Sequence, residues 1–195
     1  MNQEIAGKKP KKKFSIQTWL KKNFKFIIAG LIAIIIFNKY IILIVLMIVL
    51  GYVGLVSMKL AKLVPHIQVE TVNASAILIG YAWGWELGFL FGVIVGIVGF
   101  VNASQIKLTT IIAALFMGLS GVLAELFFSM GINFFVSFSI IQFIRGVITY
   151  PIFSTIGGDP IESAIHSIFD PLFNIFVYSQ LMNLIYVLLR GLGVI

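Results

Sequence analysis

Glu162, His166, Asp170, Asn174 and Tyr178 recur at every fourth position late in the chain. On a helix this spacing lines them up as one polar stripe about four turns long, on a segment that is otherwise apolar. Three chemistries suit such a stripe. It can be a row of hydrogen bonds that fixes the register of neighbouring helices, it can line a solvated pocket for a polar ligand, or its Glu, His and Asp can converge on a metal ion. We expect no metal site and no cofactor, and carry the first two readings forward.

Arg145 points to a partner for the stripe. Arg145 and Asp170 lie at similar distances on either side of the Gly157-Gly158 turn, so on antiparallel helices they share a depth and are expected to form a charge-assisted pair. An isolated charge at the centre of a membrane helix costs about 2.5 kcal/mol or more, which is why such a residue marks a partner or a cavity. Arg145, Glu162, His166, Asp170 and Asn174 are therefore the candidate solute-binding residues. Glu86, beside Trp83 and Trp85, reads as interfacial, and Glu125 lies close to the Gly131 turn; neither has a partner matched in depth. Catalysis is not expected. His66 and His166 are the only near-neutral bases, no cysteine is present, and no nucleophile stands in a recognisable motif. A glycine-rich phosphate loop ending in Gly-Lys-Ser or Gly-Lys-Thr is also missing from the sequence.

The elements that hold these residues must lie in lipid. With 60% hydrophobic and 11% charged residues among 195, and a mean hydropathy of +1.09, the chain lacks the polar surface to cover a water-soluble globule. Apolar segments run over about 22–38, 40–60, 70–101, 107–130, 132–155 and 160–190. Most are long enough to cross a hydrocarbon core of about 30 Å, in which only helices and closed barrels satisfy the backbone. Asn38-Lys39-Tyr40 separates the first two segments; Lys59, Lys62 and Pro65 end the second; Lys107 divides the third from the fourth; Gly131-Ile132-Asn133 and Ile156-Gly157-Gly158-Asp159-Pro160 are turns. Asp159 is expected to cap the last segment with Pro160 in its first turn, and Asp170-Pro171 to kink or break it. The predicted fold class is all-α, a polytopic membrane bundle of about six transmembrane helices, or seven if Tyr81 to Glu86 is a turn.

The net charge of +7 is confined to the start of the chain. Lys8, Lys9, Lys11, Lys12, Lys13, Lys21, Lys22 and Lys25 face Glu4 alone, and the remaining six basic and six acidic residues cancel. Residues 1–21 read as a basic cytoplasmic tail that touches anionic membrane lipid rather than nucleic acid, and residues 22–195 as the transmembrane domain. The expected location is the cell membrane, multi-pass, with the N-terminus cytoplasmic.

Gly80, Gly84, Gly88, Gly92 and Gly96 recur every fourth residue. A stripe without side chains lets another helix approach to backbone contact, the interaction that drives helix association in lipid. It serves either packing within the bundle or between copies, or docking of a partner. Ala29 and Ala33 form a second, weaker pair of this kind.

From Pro65 to Gly99, the chain carries Gln68, Thr71, the apolar run 76–79, Gly80, Gly84, Gly88-Phe89-Leu90-Phe91-Gly92 and Gly96. This stretch resembles the second and third helices of the substrate-binding S components of energy-coupling-factor transporters, and the related rod-shape-determining D family has a similar small fold and glycine usage. Asp170-Pro171-Leu172-Phe173-Asn174 with Asn183 is similar to the final helix of S components, and Ala29 and Ala33 fit their first-helix alanine motif. The resemblance implies a transporter subunit that captures a small polar solute, such as a vitamin, and relies on a separate transmembrane energising partner. The alternative it implies is a non-transporting scaffold for other membrane proteins.

Overall fold

The computed structural model describes residues 19, 22–28, 30, 38–63, 71–156 and 159–195, with Glu162, Ile165 and His166 described by their backbone alone. The chain divides into two units, 1–41 and 42–195. In the first, residues 22–28 are helical and the Asn23 amide donates to the Trp19 carbonyl at 2.8 Å. Ala29 and Ala33, the Gly157-Gly158 turn and the lysines of the tail before residue 19 lie outside the described residues.

Helix α1 (Asn38–Leu63) begins at the end of the first unit and supplies the start of the second. Then follow α2 (Thr71–Trp83), α3 (Trp85–Asn102), α4 (Leu108–Ser129) and α5 (Phe134–Thr155). The last segment is helical throughout, as α6 (Pro160–Ala164), a π-helical turn (Ile165–Phe169), α7 (Asp170–Phe173), a second π-helical turn (Asn174–Tyr178) and α8 (Ser179–Gly191). No strand occurs among the described residues. Five stretches among them are long and apolar enough to cross a membrane: Lys39–Ala61, Trp85–Asn102, Leu108–Ser129, Phe134–Thr155 and Ser167–Gly191. The chain is thus an all-α, multi-pass membrane protein.

Its amphipathicity is inverted relative to that of a soluble protein. Ile44, Ile48 and Tyr52 of α1, Ile94 and Val98 of α3, and Phe143 and Val147 of α5 face outward, whereas Asn73, Gln142, Arg145, Asp170 and Asn174 are buried. Lipid solvates the first set as well as a core would.

The segment expected at 70–101 is not one span. Gly84, at φ +108°, breaks it. Gly88 then lies against Gly80, so close that a Cβ at Gly88 would stand 2.6 Å from the Gly80 Cα. In an unbroken helix those two residues would be about 12 Å apart. The chain therefore reverses at Gly84, within the Tyr81 to Glu86 stretch that forms a turn in the seven-segment alternative. Helix α2 has 13 residues, about 20 Å, too short to cross a bilayer alone, and Thr71 through Tyr81 are all buried. It is sheathed by other helices. At its start the Ser57 and Thr71 hydroxyls hydrogen-bond at 3.1 Å.

The glycine ladder is shared out by this reversal. Gly80 lies on α2, Gly84 at the turn, and Gly88, Gly92 and Gly96 on α3, rather than all on one helix. A Cβ at Gly92 would stand 2.6 Å from the Gly118 nitrogen, and one at Gly121 would stand 2.6 Å from the Gly88 carbonyl carbon. Three backbones, those of α2, α3 and α4, meet where Gly80, Gly88 and Gly121 adjoin.

Turn chemistry follows the sequence. Asn133 caps α5, accepting from the Val136 N–H at 3.0 Å, after Gly131 at φ +72°. The Asp159 carboxylate accepts from the Ile161 N–H at 2.7 Å with Pro160 opening α6.

Candidate functional site at mid-span

The expected break at Asp170-Pro171 takes a different form. The helix continues through it, flanked by two π-helical turns. Pro171 has no N–H to give the Ser167 carbonyl, as an α-helix would require. That carbonyl lies over Gly146, whose Cβ, if present, would be 2.5 Å from it. The π turns also straighten the stripe. Residues four apart drift round an α-helix of 3.6 residues per turn, but interleaved wider turns, closed by hydrogen bonds five residues apart, bring the mean period nearer four. Asp170, Asn174, Tyr178 and Met182 are accordingly all buried. For Glu162 and His166 the side chains lie outside the described residues, so their half of the stripe has no geometry to report.

Helix α5 brings Arg145 to this surface. It stands half-way along α5, 7% exposed, and Asp170 is 1% exposed. The packing fixes their relative depth. Gly146 abuts the Ser167 carbonyl and the Pro171 ring, and the Thr149 hydroxyl donates to that of Ser167 at 3.2 Å. With Gly146 and Thr149 set against Ser167 and Pro171, Arg145 falls level with Asp170, and Gln142 with Asn174. The depth match expected from the sequence is therefore present in the register of the two helices.

A second layer was not singled out from the sequence. The rings of Tyr81, Phe134 and Tyr186 meet with centroids 5.1 to 5.3 Å apart and set one common level for α2, α5 and α8. Eight residues back from Tyr81 is Asn73, and eight on from Phe134 is Gln142, each about 12 Å from that level in the same direction, because α2 runs toward it and α5 away. Helix α2 touches both α5 and the turn Asn174–Tyr178. Asn73, Gln142 and Asn174 are all 0% exposed. Among the described residues nothing hydrogen-bonds to either polar atom of the Asn73 or Gln142 side chain; Asn174 donates to the Asp170 carbonyl at 2.8 Å, but its own Oδ1 has no such partner.

Burying an amide group without a hydrogen bond costs about 1–3 kcal/mol. Asn73 and Gln142 each keep a donor and an acceptor of this kind in the interior of a membrane protein, one turn from an Arg and an Asp. Together the two layers offer neutral donors and acceptors beside one positive and one negative side chain, which is the equipment for holding a small polar molecule. The only sequence-level hint of the amide layer is the pair of amide residues inside apolar runs, Asn73 before 76–79 and Gln142 in α5.

Glu125, for which the sequence offered no partner, accepts the backbone N–H of Trp85 at the first turn of α3. No group of three or more His, Cys, Asp or Glu side chains is placed to hold a metal among the described residues. No protein-family model matches the chain, and neither a curated protein nor a solved structure matches it.

Proposed function

We propose that the protein binds a small polar solute within its helix bundle and serves as a transporter subunit, as its likeness to S components implies. The observation that carries this reading is the pair of fully buried amides, Asn73 and Gln142, level with each other and unmet by any described group. A register-fixing polar layer gains nothing from groups that make no hydrogen bonds, whereas a solute that satisfies them recovers what their burial costs. Arg145 and Asp170, a turn away, would hold the charged parts of the solute and each other when it leaves. Glu162 and His166 are its remaining proposed contacts. The role is binding without catalysis, with energy supplied by a separate membrane partner, in the cell membrane and with the basic tail in the cytoplasm.

The scaffold alternative relies on a glycine face offered to other proteins. Gly80, Gly88, Gly92, Gly96, Gly118 and Gly121 already lie against neighbours within this chain, which favours the solute reading. A thermal-stability screen of the detergent-purified protein against small polar solutes separates the two. A solute that raises the melting temperature supports capture; stable co-purification of a membrane partner with no solute effect supports the scaffold.

A further inference from the structure

A second site lies at one end of the bundle. A cavity of about 410 Å³ opens where α2 and α4 end, α5 begins and α8 finishes, within the range of small-molecule pockets. Tyr81, Phe128, Tyr186, Asn133 and Arg190 are among its walls, and Arg190 is the only charged side chain among the described residues that line it. The aromatic wall is fixed. The Tyr81 hydroxyl donates to the Ile132 carbonyl at 2.6 Å, and its ring meets those of Phe128, Phe134 and Tyr186 edge to face. Asn133 accepts the Val136 N–H with its Oδ1 and keeps both hydrogens of its amide NH2 to donate. No Asp or Glu side chain is among the described residues that line the cavity, which Ile195 completes; a guanidinium beside an amide donor favours an anion, and planar forked donors suit phosphate oxygens. The rings provide a surface for an organic stem.

The depth is that of a membrane interface. The cavity lies at the terminus of α4, whose 22 residues span about 33 Å, and only a few residues along the chain from Trp83 and Trp85 at the α2–α3 turn. We propose that this cavity binds a phosphate group carried on a short organic stem, the chemistry shared by an anionic phospholipid headgroup and a soluble phosphate ester. The site is independent of the mid-span layers.

The test uses the full chain in phosphatidylcholine bicelles with a photoactivatable phosphatidylglycerol, labelled residues being mapped by peptide sequencing, and with glycerol 3-phosphate as a soluble competitor. Labelling is expected on the segments 127–134 and 181–195, reduced about tenfold by Arg190→Gln, as the loss of a charge-assisted hydrogen bond requires, and reduced less by Arg190→Lys, which keeps the charge but not the fork. The basic tail should be labelled equally in all three proteins. Labelling that survives excess glycerol 3-phosphate assigns the site to lipid; labelling that is competed away assigns it to the soluble ester. Labelling confined to the tail, or labelling of the cavity segments that Arg190→Gln leaves unchanged, overturns the proposal. Matched melting temperatures for the parent, Arg190→Gln and Arg190→Lys guard against loss of folding.

Discussion

The carboxylate of Glu125 on α4 accepts the backbone N–H of Trp85, the first residue of α3. This one contact ties the α2–α3 reversal to the helix beside it and supplies a negative group where the N-terminal dipole of α3 is positive. Loss of a side-chain cap costs about 1 kcal/mol. Glu125→Ala should therefore lower the melting temperature in detergent, while Glu86→Ala, which removes a carboxylate from the first turn of α3 but not this bond, should lower it less. Equal losses would deny Glu125 its capping role.

Gly88 should tolerate no side chain. A Cβ there meets the backbone of Gly80, which has no rotamer by which to retreat. Gly88→Ala is expected to cost at least the 1–3 kcal/mol or so typical of overpacking, and Gly88→Leu to prevent stable folding. Gly191, around which a Cβ would meet nothing within 4 Å, is the control. Thermal unfolding of Gly88→Ala that matches Gly191→Ala would contradict the three-backbone contact.

These glycines also mark how far the sequence could be read. Their spacing announced a close approach, but a period of four is common to a continuous stripe and to a hairpin folded at Gly84. What decides between them is the positive φ at Gly84 and a partner contributed by Gly118 and Gly121, a helix away in sequence. The segment limits were legible because Lys107, Gly131, Asn133, Asp159 and Pro160 act locally, through caps and turns. The π-helical turns were not. Asp170-Pro171 signals a disturbed helix, and whether the chain breaks or widens there depends on Gly146 making room for the Ser167 carbonyl. The depth match of Arg145 and Asp170 followed from counting outward from one turn, whereas the level shared by Asn73 and Gln142 needs the Tyr81, Phe134 and Tyr186 rings to set it.

Arg145 and Asp170 should behave as a pair. Each is buried at mid-span, and removing one leaves the other's charge uncompensated, a loss of about 3–5 kcal/mol for buried ion pairs. Arg145→Met and Asp170→Asn should each reduce stability, and the double variant should recover part of the loss. A double-variant cycle in detergent measures the coupling. Strictly additive losses would separate the two residues and leave Arg145 as a lone cavity-lining cation.

The lysines at 8–13 carry most of the net positive charge and are expected on the cytoplasmic side. In sealed right-side-out vesicles an N-terminal tag should resist external protease until the membrane is breached. Removal of the tag from intact vesicles would reverse the orientation.

The amide layer formed by Asn73, Gln142 and Asn174 is the centre of the account, and it predicts opposite effects on stability and on binding. Replacing an unmet buried amide by an apolar group of like shape removes a cost of about 1–3 kcal/mol. The most direct measurement is the melting temperature of the parent, Asn73→Leu and Gln142→Met across one panel of water-soluble vitamins, amino acids and related polar solutes. The predicted result is that both variants are at least as stable as the parent without solute, and that a solute which stabilises the parent leaves them unmoved. Variants that are less stable than the parent, together with a panel in which no solute shifts the parent or one that shifts all three proteins alike, would contradict a solute site at mid-span.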